Sequence, residues 1–164
     1  MGTFELFQLS GTPVNVFELA ASLASAHAGA LVTFEGRVRD TNDNRDVVGL
    51  EYEAYDALCL KEGSAILREA LRGVIAARCV HRVGSLSVGD VAVWVGVVAG
   101  HRDEAFRACR FIIDEVKRRV PIWKKEHYRD GSSAWIGLGA DAVSAEATFP
   151  AGPSSSPGPS SSSR

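Results

Sequence analysis

Residues 91–121 read VAVWVGVVAGHRDEAFRACRFIIDEVKRRVP. Val91 to Ala99 is apolar at successive positions rather than at alternate ones, which predicts a strand buried on both faces. From Asp103 to Arg119 the period changes. Phe106, Cys109, Ile113, Val116 and Val120 recur at helical spacing, and charged residues fill the other positions. Pro121 cannot continue a helix and ends this one. The tripeptide Gly100-His101-Arg102 joins the strand to the helix, so a basic linker sits where a core strand meets a helix N-terminus.

On either side of that segment the chain alternates strand and helix signals. Toward the N-terminus, Phe4 to Leu9 reads as a first strand. Thr12 followed by Pro13 reads as an N-cap with proline at the first helical position. The helix it starts runs to about Ala26, with Val16, Leu19, Ala20 and Leu23 on one face. Ala30 to Val38 and Val47 to Tyr55 read as strands, and the polar segment DTNDNRD (40–46) between them is turn-forming. A second helix is expected from about Asp56 to Ala77, since Ala65, Ile66, Ala70, Leu71, Val74 and Ile75 fall at helical spacing. Cys79 to Val83 reads as a short strand, and Ser87-Val88-Gly89-Asp90 as a turn. Toward the C-terminus, Asp130-Gly131 marks another turn and Ala134 to Leu138 a final strand. Mixed strands and helices without a strict βαβ rhythm predict an α+β domain. We expect that domain over 1–140. The remainder, 141–164, ends in PAGPSSSPGPSSSSR and has almost nothing to bury, so we expect a disordered tail there.

Composition narrows the function classes. The formal net charge is -2, with 46% hydrophobic and 23% charged residues, so the whole molecule is no obvious polyanion binder. Basic residues are not interleaved with an exposed aromatic pattern, and we expect no nucleic acid partner. The longest apolar run, Val91 to Ala99, is far short of the roughly 20 residues a spanning helix needs. The N-terminus has no charged region followed by an apolar run, so neither a membrane partner nor a secretory leader is expected and the default compartment is the cytoplasm. Cys59, Cys79 and Cys109 are far apart and form no CxxC pair. Each reads as a small buried hydrophobe rather than a metal ligand or half of a disulfide.

The charge is unevenly spread. Residues 1–100 carry 8 Lys/Arg against 12 Asp/Glu, whereas residues 101–129 carry 9 against 5. A local cationic surface of that kind suits a small anion, although a solvated helix face accounts for it equally well. Four basic clusters stand out. Arg37-Val38-Arg39 ends a strand, and period 2 puts both guanidiniums on one face, where a phosphate would relieve their repulsion. Taken alone, that pair reads more readily as an exposed edge. His101-Arg102 precedes a helix N-terminus, a favourable place for an anion, and Arg102 beside Asp103 is its plainer explanation. Lys117 lies in the last turns of the helix, where a lysine also suits the helix dipole. Lys124-Lys125 follows Pro121-Ile122-Trp123. The chain has only four lysines, three of them within 117–125. No phosphate loop, dinucleotide fingerprint, nucleophile elbow or zinc-protease motif is present.

With those residues in view, the chain resembles the large subunit of molybdopterin synthase. The matching segments are ALVTFEGRVRD (30–40), LEYEAYD (50–56), HRVGSLSVGDVAVWVGVVAGHRDEAF (81–106) and FIIDEVKRRVPIWKKE (111–126), followed by Trp135. The resemblance implies an α/β hammerhead fold and a central homodimer, each copy of which takes one small ubiquitin-like subunit to give a heterotetramer. It implies that the small subunit's Gly-Gly thiocarboxylate delivers sulfur to cyclic pyranopterin monophosphate, forming the dithiolene of molybdopterin. The sulfur then arrives on the partner and no catalytic cysteine is required. It further implies Lys117 and Lys124 as the catalytic lysines. Substrate binding would fall to Arg37, Val38, Arg39, His101 and Arg102 together with Lys117, Lys124, Lys125 and Glu126, with His101 and Arg102 completing the neighbouring copy's site. No resident metal or organic cofactor is implied. The alternatives are a non-catalytic phosphate- or nucleotide-binding dimeric module using the same basic clusters, and a scaffold whose helix and strand build a dimer while the lysines stay solvated.

Overall fold

The computed structural model describes residues 7–137. The expected tail, the boundary near residue 140, and residues 4–6 of the first expected strand lie outside them. The element order is β1 (Phe7–Ser10), α1 (Val16–Ala21), β2 (Ala30–Arg37), β3 (Thr41–Asn42), β4 (Arg45–Ala54), α2 (Asp56–Ala70), β5 (Ala76–Arg82), β6 (Gly84–Ser87), β7 (Val91–Ala99), α3 (Arg102–Arg119), β8 (Ile122–Tyr128) and β9 (Ser133–Gly137). The class is α+β, as the lack of βαβ rhythm predicts.

β7 organises the larger sheet, whose strand order is β1-β5-β7-β2. It pairs antiparallel with β2 on one side and β5 on the other. β1 joins β5 in parallel. As its unbroken apolar run predicts, β7 is covered on both faces. Val93, Val95, Val97 and Ala99 enter the main core with Ile66 and Leu67 of α2 and Ile112 and Val116 of α3. Trp94 and Val98 face the other way, onto Leu23 and the Val16, Leu19 and Ala20 face of α1. Two glycines make close approaches possible: a Cβ on Gly63 would run into the ring of Phe7, and one on Gly96 into the indole of Trp94.

The second sheet has the order β3-β4-β8-β9, with β6 also paired to β4. A two-residue turn links β3 to β4. Asp43 and Asn44 adopt φ of 47° and 59° there, the left-handed region that such a hairpin requires at both positions. Val38, Leu50, Leu86 and Ala92 form a small core that joins this sheet to the first.

Several expectations need correction. The first helix is capped by Asn15, whose side chain accepts from the amides of Phe17 and Glu18, and it runs only to Ala21. Thr12 is instead held by the Ser10 hydroxyl, which donates to its carbonyl, so Thr12-Pro13 precedes the helix rather than starting it. The second helix stops at Ala70, not Ala77. Gly73 takes φ 90° in the following turn, and the Ile75 amide donates to the Val98 carbonyl, drawing that segment into the sheet. In α3 the buried stripe is Ala105, Ala108, Cys109, Ile112, Ile113 and Val116, while Phe106 is 61% exposed. Strand β6 was not anticipated, nor was β8, which occupies the segment read only as a basic cluster.

Candidate active site

Pro121 sets the geometry of the site. The residue before a proline is driven out of the helical region, and Val120 ends α3 with φ -80° and ψ 124°. The chain then turns into β8, which pairs antiparallel with β4 from Val47 to Ala54. Alternation along β8 sends Ile122, Lys124, Glu126 and Tyr128 to one face and Trp123, Lys125 and His127 to the other. The first face closes a cavity of about 390 Å³ against Tyr52 of β4, His81 of β5, the end of β2 and the last turns of α3.

Arg37, Val38, Arg39, Lys117, Lys124 and Glu126 all line this cavity, so six of the nine residues expected at a site meet in one place. Among them are four cationic side chains and one carboxylate, which makes the space attractive to an anion. The Lys124 ammonium lies 2.8 Å from Glu126 Oε1. The other oxygen, Oε2, accepts from Asn42 Nδ2 at 2.9 Å and from the Tyr128 hydroxyl at 3.0 Å. Burial alone would raise the Glu126 carboxyl, but the hydrogen bond and charge of Lys124, with Asn42 and Tyr128, hold it below the usual carboxylate range. Asn42 also accepts from Arg39 at 3.3 Å through Oδ1. A chain of polar contacts thus runs Arg39–Asn42–Glu126–Lys124 and fixes where two of the cations point.

Arg37 behaves differently from Arg39. The register shifts between Gly36 and Arg37. The Arg37 guanidinium pairs with Glu35 and donates to the Gly89 carbonyl at 3.2 Å. Its charge is already answered, so the expected repulsion between two bare guanidiniums is relieved within the protein.

The remaining three residues lie elsewhere. Lys125 is on the outer face of β8, opposite Trp135 of β9, with its ammonium 5.5 Å from the indole centroid. His101 caps α3 without a side-chain hydrogen bond, and Arg102 begins the helix; both are exposed. At 1.5 Å per residue, Arg102 stands about 22 Å from Lys117 along the helix axis.

Sequence reasoning missed Asn42, Tyr52, His81 and Tyr128. Burial, then the Glu126 charge, pushes the Tyr52 phenol up to about 12, so it remains a donor. His81 is 6% exposed, and its ring meets Tyr52 edge-on at 4.9 Å. The signals were present but weak: Tyr52 and His81 stand in strand-forming segments, and Asn42 in a turn. The three cysteines are buried, and burial raises each thiol, which leaves them poor nucleophiles. A larger open groove of about 730 Å³ runs between β1, α1 and Arg78, and none of the expected site residues lines it. No described helix is long and apolar enough to cross a membrane.

Comparison with known proteins identifies the likeness. A family model described as MoaE protein matches residues 9–119. The molybdopterin synthase catalytic subunit of Nostoc sp. is 41% identical over 137 residues, covering 82% of this chain and 83% of that one. The subunit of the same name from Pyrococcus abyssi is 46% identical over 124 residues, covering 74% and 83%. Among solved structures, molybdopterin synthase from Staphylococcus aureus superposes with a TM-score of 0.75 at 35% identity, covering 80% of this chain and 97% of that one.

Proposed function

The chain belongs to the MoaE protein family, and we propose that the cavity at the end of α3 is where it acts as a catalytic subunit of molybdopterin synthase. In this reading it moves sulfur from the thiocarboxylated Gly-Gly end of a small ubiquitin-like partner onto cyclic pyranopterin monophosphate, in the cytoplasm. The observation that carries the reading is the convergence of Arg39, Lys117 and Lys124 on one cavity, with Glu126 anchoring Lys124.

The chemistry follows from the charges. The thiocarboxylate sulfur forms a bond to a side-chain carbon of the pterin. The bond from that carbon to a phosphate oxygen breaks, so negative charge develops on the oxygen as the ring opens. Water then hydrolyses the thioester, leaving a thiol on the pterin and the tail as a carboxylate, and a second thiocarboxylated tail supplies the other sulfur of the dithiolene. Arg39 and Lys117 hold the phosphate and the incoming thiocarboxylate, both anionic, and Asn42 fixes the Arg39 donor before the reaction. Lys124 is an ammonium tied to a buried carboxylate. That pairing holds the cation in place to stabilise the charge developing on the departing phosphate oxygen, and it disfavours nucleophilic use of the amine. His101 and Arg102 stand too far along α3 to serve the cavity of their own chain. In the homodimer at the centre of the heterotetramer they complete the neighbour's site.

Reconstitution with the thiocarboxylated partner and the cyclic pterin tests this. Lys117→Ala and Lys124→Ala should each lower dithiolene formation by roughly a hundredfold or more. Near wild-type rates in either would refute the assignment. Mixing Lys124→Ala with Arg102→Ala, each inactive alone, should restore roughly a quarter of wild-type activity, because half the dimers then carry one intact site.

A further inference from the structure

His81 is a buried histidine whose two nitrogens have different fates. Nδ1 lies 2.7 Å from the carbonyl oxygen of Arg82. A carbonyl only accepts, so Nδ1 carries the proton. In a neutral imidazole Nε2 is then a bare acceptor. Nε2 has no hydrogen-bond partner among the described residues, nor is it among the polar atoms sealed from solvent without one. The ring lines the cavity that holds Lys117 and Lys124, so this lone pair opens into it.

The ring stays neutral for reasons visible around it. Burial lowers its pKa to about 4; the Arg82 carbonyl opposes the fall and the nearby Lys117 charge adds to it. The lining cations are donors only. The Glu126 carboxylate is occupied by Lys124, Asn42 and Tyr128. Nε2 is therefore a free, uncharged acceptor set among groups that recognise anions. It does not suit the phosphate, which offers acceptors of its own. It suits an N–H or O–H donor on the uncharged part of an anionic substrate, such as a ring N–H or amino group of a heteroaromatic system.

We infer that His81 is a substrate-binding residue whose Nε2 accepts a hydrogen bond from such a donor, orienting the ring system while the cations hold the charged end. The inference rests on the reading of this cavity as the substrate site.

Two substitutions separate the nitrogens. His81→Asn retains a donor near the Nδ1 position but loses the acceptor at Nε2. His81→Gln puts an amide oxygen near Nε2. In the reconstituted enzyme, H81N should raise KM for the cyclic pterin by roughly tenfold to a hundredfold, and H81Q should stay within a few-fold of wild type. Inhibition by inorganic phosphate, which tests only the cations, should be unchanged in both. An unchanged KM in H81N overturns the inference, as does a KM that rises together with the phosphate inhibition constant, since that marks general collapse of the cavity. Wild-type protein with isotopically labelled histidine gives a readout free of folding defects: the His81 Nε2 resonance should move on adding the cyclic pterin and not on adding inorganic phosphate. No movement with the pterin overturns the inference. Failure of the underlying reading shows separately, as full activity in Lys124→Ala.

Discussion

The two sheets solve different problems with similar strands. In the first, β7 places Val93, Val95 and Val97 on one face and Trp94 and Val98 on the other, all nearly inaccessible. Its stabilisation comes from apolar area, which is non-directional and tolerates small shifts. In the second, β8 turns Lys124 and Glu126 inward beside Ile122 and Tyr128. Those positions are held by specific hydrogen bonds, which fix direction and add little net stability. The lesson is that one region sets whether the chain folds and the other sets where its charges point. Substitutions in the two should fail in different assays.

The largest expected effect lies in the first region. Trp94→Ala leaves a void between α1 and the sheet and should cost about 3–5 kcal/mol, read as a fall in the urea midpoint. Activity per folded molecule should hold. In the second region the balance reverses. Lys124→Ala leaves the Glu126 carboxylate with only Asn42 and Tyr128, and should cost about 1–3 kcal/mol while abolishing dithiolene formation. Glu126→Gln retains the volume but releases the lysine, so activity should fall by tenfold or more with a smaller change in the urea midpoint. Equal stability losses for Trp94→Ala and Glu126→Gln would break the distinction.

The same contrast explains what could be read beforehand. The β7 and α3 boundaries follow from apolar periodicity, because burial there demands apolar side chains. β8 alternates as cleanly as any strand, but two of its four inward residues are ionised, so hydrophobic periodicity does not register it. The basic residues themselves were legible as a cluster. Their partners were not, because Asn42, Tyr52 and His81 lie at least 36 residues from Lys117 in sequence and meet it only through the pairing of β4 with β8 and of β5 with β7. The helix ends near Thr12 and Ala77 were misplaced for a related reason. A local cap at Asn15, and a sheet edge that recruits Ile75, decided them in place of propensity.

Acid should act first on the buried ionisable groups around the cavity. His81 has a folded pKa of about 4 against an ordinary 6.5. Between those values the unfolded chain binds the proton and the folded chain does not, so stability rises with pH through that window and is complete above it. Acidification from pH 6.5 toward 4 should therefore remove up to about 3 kcal/mol. Glu126 acts in the same direction at lower pH. Its folded pKa is depressed, so its contribution is present above the usual carboxylate range and is lost as pH falls through the folded value. His81→Gln should flatten the urea midpoint between pH 4 and 6.5, and an unchanged slope would remove His81 from this account.

The smallest effects belong to charge pairs outside both regions, and even there geometry decides. Arg119 reaches Glu62 at 3.2 Å, Glu69 at 3.1 Å and Glu115 at 3.4 Å, tying α3 to α2. Its side chain is 22% exposed, so solvent screens the network only in part. Arg110 meets Asp114 at 2.8 Å, a shorter contact, yet its side chain is 80% exposed and both residues lie on one helix. Distance alone would rank Arg110 first. Exposed pairs four residues apart contribute only tenths of a kcal/mol, since water and salt compete for both ends. Arg119→Ala should cost about 1 kcal/mol and Arg110→Ala less than about 0.5 kcal/mol. Raising the salt concentration should erase the Arg110 effect before the Arg119 effect, because only the latter pair set is partly withdrawn from solvent.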